Sequence, residues 1–300
     1  MGWLSRLFGA REPSGLPAPS SAAAERFAEP PNAADPESAV PADAGLLLAS
    51  LLGGAPPIDK DLTADEQRFV AALDGVLAQG EIADSLLPRA AAFVPQLLAL
   101  LRQSDATLGD IAARIAQDAP LAAEVLRAAS SAARGGVEVQ DLAQAVQRVG
   151  AAGVQQAVAR VIFRPMYGGG GSLGVRAGPW LWLFSERLAE AATSQARTAG
   201  LPAFDGYLAG LLQSTGWMIA LRIADKAGIP VDLPQSLEAA AAVEARAHRL
   251  FGLAAQRWEI TPGFALFTKD AAETPWARSS LPLAHCLRQA QAAVLARPAP

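Results

Sequence analysis

The chain has 300 residues and a net charge of −4, with 51% hydrophobic residues but only 6% aromatic ones, so alanine and leucine carry the apolar content and point to an all-α protein. An acidic balance disfavours nucleic acid, whose binding needs a basic surface, and the single Cys286 permits no internal disulfide. No apolar run approaches the roughly 18 residues needed to cross a bilayer and no signal peptide is evident, so the expected compartment is the cytoplasm.

In chain order, Met1 to Phe8 places Trp3, Leu4, Leu7 and Phe8 on one side of a short amphipathic turn with Arg6. Contact with a membrane surface or a partner is conceivable there, but two turns bury little area and a frayed terminus is the expected reading. The myristoylation pattern fails at Arg6. Glu12 to Asp59 is rich in Pro, Ala, Ser and Glu and cannot bury enough apolar surface to offset ordering. Residues 1–60 are therefore expected to be a disordered tail, with the apolar patch Gly45 to Leu52 docking on the folded body. Thr63-Ala64-Asp65-Glu66 is a capping box, followed by Phe69, Val70, Leu73, Val76 and Leu77, with Gly80 as the stop. That helix is expected to pack on the unit that follows.

The next unit, Leu87 to Ala132, reads as three helical segments. Thr107 with Asp110 caps the middle one, and Leu108, Ile111, Ala112 and Ile115 form its apolar stripe. Asp118-Ala119-Pro120 ends it and starts another, with Leu121, Val125, Leu126 and Ala129 as the stripe and Gly135-Gly136 as the end. With Leu87-Pro88, Leu97-Leu98, the Asp-x-Pro of 118–120 and the closing Ser130-Ser131-Ala132, this stretch resembles the core of the HDOD domain, a bacterial signalling module related to the HD phosphohydrolases. Ala119 interrupts the family's usual Asp-Pro pair, and Ser130 stands where the family usually has Asn.

Asp141 then caps a helix with Leu142, Val146 and Val149 that halts at Gly150, and a further helix from Ala152 to Phe163 stops before Pro165. Val149-Gly150 stands in the place of the family's Leu-Gly. Gly168 to Gly178 lacks the Lys-Ser/Thr and the preceding strand of a phosphate loop, so it reads as a joint between two helical lobes. Pro179 is expected to start the next helix, which carries Leu181, Leu183, Phe184 and Leu188 to Gly200, and a single helix is expected from about Ala203 to Ala227. The resemblance implies that an HD enzyme would gather metal ligands on these helices. In that family a His follows Trp-x and a His-Asp pair lies in Leu-Leu-His-Asp-Ile-Gly. Here Trp182-Leu183-Phe184 and Leu211-Leu212-Gln213-Ser214-Thr215-Gly216 supply a phenyl ring, an amide and a hydroxyl, poor ligands for hard cations or iron.

The two histidines, His248 and His285, fall in no metal-binding spacing, and Cys286 has no nameable base. A helix is expected from Leu237 to Trp258. Its His248-x-x-x-Gly252, Trp258 and Pro262 are similar to the family pattern, with the tryptophan one residue early. Arg246, Arg249 and Arg257 share a face, which is expected to be solvated rather than to meet an anionic partner. Pro282 to Arg297 closes the chain's last helix, with Leu283, Leu287, Ala290 and Val294 on its stripe.

The expectation is an all-α, two-lobed HDOD-like domain at 61–297, with lobe one at about 61–167 and lobe two at about 179–297. The resemblance implies a noncatalytic bacterial signalling module that binds other signalling proteins, with no catalytic, metal or cofactor-binding residue. A remnant pocket is expected around Phe184, Gln213, Ser214 and Trp217, its small-molecule ligand, if any, unspecified. The alternative is a metal-dependent HD-type hydrolase of a phosphorylated nucleotide.

Overall fold

The Thr63 capping box forms as its sequence implies: the Thr63 hydroxyl accepts from the Glu66 amide, and the Glu66 carboxylate accepts from the Thr63 amide at 2.7 Å. In the computed structural model the described residues are 47, 57–87, 112, 115–116, 119–131, 141–168, 171–230, 236–258 and 260–296. Readings that fall on Met1 to Phe8, on most of the tail, on the Thr107 cap, on Leu97-Leu98 and on Gly135-Gly136 lie outside them. Of the Gly45 to Leu52 patch, Leu47 is described, and it is buried in the hydrophobic core.

The described residues form an all-α fold with no strand. In chain order the helices are α1 (Ala64–Leu77), α2 (Ala119–Ser131), α3 (Leu142–Phe163), α4 (Ser172–Thr198), α5 (Ala203–Leu212), α6 (Thr215–Ala227), α7 (Leu237–Ala255), α8 (Pro262–Glu273) and α9 (Pro282–Leu295). Short 3-10 turns follow α3, α7 and α8. Asp141 caps α3 by accepting from Ala143 and Gln144, and Gly150 breaks that helix with φ 64° and ψ −175°, as the sequence implied.

α4 and α5 form the centre. Their contact is made by small residues: a Cβ on Gly206 would meet the Ala192 carbonyl and one on Gly210 the Ala189 backbone, each at 2.6 Å. That close approach buries both helices along much of their length. α9 packs on α4 and α5, α6 on α4 and α7, and α8 on α7 and α5. α2 and α3 form an antiparallel pair that meets this body through α5.

Two expectations are corrected. α4 begins at Ser172, not Pro179, so much of the expected joint is helix, with Leu173, Gly174, Ala177 and Gly178 buried. The glycines there serve packing: a Cβ on Gly178 would lie 2.0 Å from the Tyr167 carbonyl oxygen. The expected helix 203–227 is two helices broken at Gln213-Ser214. α1 packs on α7 and α6, where the Glu66 carboxylate accepts from the Ser236 amide and Ile58 pairs with Ser236; most of the 87–132 unit it is expected to meet lies outside the described residues. The arginine face is exposed at Arg249 and Arg257, as expected, and its side chains also bond to the protein: Arg246 to Asp74, Arg249 to the Ala272 carbonyl, and Arg257 to Asp84 and the Ile82 carbonyl. Their regular spacing reflects contacts with α1, α8 and the 81–87 segment.

Candidate functional site

The turn between α5 and α6 holds the residues aligned with an HD ligand pair. Leu211 and Leu212 end α5 in the core, and Gln213 and Ser214 follow in helical backbone conformation before α6 starts at Thr215. Gln213 is 6% exposed and Ser214 1%. The Gln213 side-chain amide donates to Gln291 on α9 at 3.0 Å, and Gln291 in turn donates to Glu244 on α7. This chain of amides joins α7 and α9 to the α5–α6 turn. The Gln213 amide oxygen and the Ser214 hydroxyl have no partner.

Around the turn the backbone is crowded. A Cβ on Gly216 would fall 1.9 Å from the Ala247 carbonyl, so only glycine lets α6 approach α7 there. Trp217 is buried on α6. Phe184 is buried on α4 with its ring stacked on Trp180, centroids 5.2 Å apart. All four residues of the expected remnant pocket are thus interior. Two cavities lined by described residues lie elsewhere, and none of the four lines them.

Those cavities adjoin between the α2–α3 pair and α4, and sequence reasoning did not find them. They measure about 470 and 390 Å³ and share Glu124, Arg127 and Arg160. Arg160 on α3 is the hub. It donates to the Tyr207 hydroxyl of α5 at 3.0 Å and pairs with Glu124 of α2 at 3.4 Å and with Glu186 and Glu190 of α4 at 3.5 Å. Burial works against its charge, yet Tyr207 and the glutamates outweigh it and hold the guanidinium above its ordinary pKa. Burial pushes the Tyr207 hydroxyl up to about 12, so it stays protonated. Arg164 sits over the Trp182 ring, 6.0 Å from its centroid. The partners of Arg160 lie up to 47 residues away in sequence, and no local spacing announces them.

The remaining chemistry-bearing groups are structural. His248 is buried against Trp276, centroids 4.1 Å apart. His285 bonds Gln289, one turn along its own helix. Cys286 is buried, which raises its thiol pKa. Among the described residues no group of three His, Cys, Asp or Glu side chains is placed to hold a metal ion.

The family description of the HDOD domain matches residues 87–258, more than half of the chain. The chain belongs to the HDOD family. A solved structure from Shewanella amazonensis SB2B, named provisionally as a metal-dependent phosphohydrolase, is similar with a TM-score of 0.55 at 18% identity, covering 76% of this chain and 82% of that one. At that identity the likeness is one of fold. No curated protein matches the chain. At the positions where the resemblance implies metal ligands stand a neutral amide, a hydroxyl and a phenyl ring, poor donors for such an ion, and the amide is already bonded to Gln291.

Proposed function

We propose that this HDOD domain is a noncatalytic output or adaptor module that acts by binding other signalling proteins in a bacterial cytoplasm. The observation that carries the reading is the α5–α6 turn, where Gln213 and Ser214 replace ligand chemistry with buried neutral groups and Gln213 is spent on the contact with α9. A divalent ion gains its affinity from carboxylate and imidazole donors converging on one point. Here the turn serves packing: Gly216 and Gln213 fasten α6 and α5 to α7 and α9.

The test uses full-length protein purified without chelator. Elemental analysis is expected to find no stoichiometric Fe, Mn or Zn, and added metals are expected neither to raise the melting temperature nor to support phosphate release from nucleotides. Stoichiometric metal together with nucleotide turnover overturns the proposal in favour of a phosphohydrolase. The positive arm is affinity capture from native cytosol, followed by direct titration with each purified candidate; a signalling protein that binds saturably at a one-to-one ratio is the expected result.

A further inference from the structure

The two adjoining cavities form a trough along α3, with α2 as one wall and α4 as the other. From Ala152 to Arg164 the floor runs roughly 18 Å at the helical rise of 1.5 Å per residue, too long for a single nucleotide. One end has apolar walls, Pro120, Val161, Pro165 and the half-buried Trp182. Among the described residues the charges along the trough are unbalanced. Glu124, Glu186 and Glu190 are all paired with Arg160, and Glu124 is shared with Arg127. Arg148, Arg164 and Arg197 remain exposed, and among the described residues none of them meets a carboxylate. A positive trough on a molecule of net charge −4 attracts an acidic ligand.

We infer that the trough is the docking site of the chain's own acidic segment Glu25 to Asp43, which would act as an internal competitor for any acidic partner. The segment reads ERFAEPPNAADPESAVPAD: Glu25, Glu29, Asp35, Glu37 and Asp43 stand against the single Arg26, and Phe27 supplies one aromatic side chain for the Trp182 end. Pro30, Pro31, Pro36 and Pro41 restrict it to extended backbone, which lowers the entropy lost on lying in a linear groove. Reach is no obstacle. Leu47 is anchored in the core, and the twenty residues from there back to Phe27 span up to about 66 Å, against about 45 Å for the width of a domain this size. Tethering also sets a local concentration of about millimolar, so a weak contact suffices.

The experiment places the photo-crosslinking residue p-benzoylphenylalanine at position 27 of the full chain and maps the crosslinks by mass spectrometry. Crosslinks within one chain are expected on the α2 and α4 peptides that contain Pro120 and Trp182. The yield is expected to fall several-fold in the variant Arg148→Glu, Arg164→Glu, Arg197→Glu and at high salt. Reversing the five tail acids to Lys should lower it equally, and combining the two reversals should restore it. That restoration separates lost attraction from lost structure. Crosslinks elsewhere on the body, a yield indifferent to charge reversal, or crosslinks joining isotopically light and heavy chains, which would make a second copy the occupant, each overturn the inference.

Discussion

At the scale of single residues, His248 sets a pH limit on the fold. It is 3% exposed, ringed by Trp276, Phe251 and Phe267, and its Nδ1 has no partner. Burial, reinforced by the charge of Arg288, pushes its pKa down to about 3. The unfolded chain takes up a proton near the ordinary value of 6.5, while the folded chain refuses it until about 3. The stabilising contribution is therefore complete above pH 6.5 and is lost as pH falls, by about 2 kcal/mol at pH 5. Urea unfolding at pH 7.5 and pH 5 should show this loss in the native chain and not in His248→Leu. Equal pH dependence of the two proteins would refute it. The sequence showed His248 as a lone histidine in no ligand spacing. Its aromatic enclosure was hidden, because Phe267 and Trp276 come from a later helix and turn.

At the scale of elements, two glycines separate conformational from steric demand. Gly150 breaks α3 at φ 64° and ψ −175°, and a Cβ there would meet nothing within 4 Å. Gly150→Ala is thus expected to destabilise through the backbone alone, by about 1–3 kcal/mol. Gly178 is the opposite case: its helical backbone suits alanine, but the added Cβ would press on the Tyr167 carbonyl. Gly178→Ala should also destabilise, by about 1–3 kcal/mol of overpacking. Were residues 168–178 a free joint, the same change would be neutral or mildly stabilising, so denaturant midpoints for the two variants discriminate. The halt at Gly150 was legible because capping residues and a breaker act locally. The start of α4 at Ser172 was not, since Gly174, Gly178 and Pro179 look like breakers and are overruled by packing against the Arg164–Tyr167 turn and the rest of the core. The break at Gln213-Ser214 was missed for a similar reason: neither residue is a breaker, and the side-chain hydrogen bond to Gln291 spans 78 positions.

At the scale of the whole molecule, the question is whether the missing chemistry could be restored by replacing two side chains. The variant Gln213→His, Ser214→Asp recreates the ligand pair of HD relatives at the turn. Two obstacles stand outside that pair. Phe184 stands where the resemblance implies a further ligand, and among the described residues no group of three His, Cys, Asp or Glu side chains is placed to hold a metal ion. Position 214 is also 1% exposed, so a carboxylate there enters an apolar interior without a counter-ion, at a cost of several kcal/mol unless it takes up a proton. Replacing Gln213 further removes the amide that bonds Gln291, and with it the link from the turn to α9 and on to Glu244 of α7. The expected outcome is a protein that melts well below the native one and gains no melting temperature from added Mn, Fe or Zn. Calorimetric unfolding with and without each metal checks this directly. A metal-dependent rise back to the native melting temperature would mean that the surrounding helices still hold a metal-binding geometry.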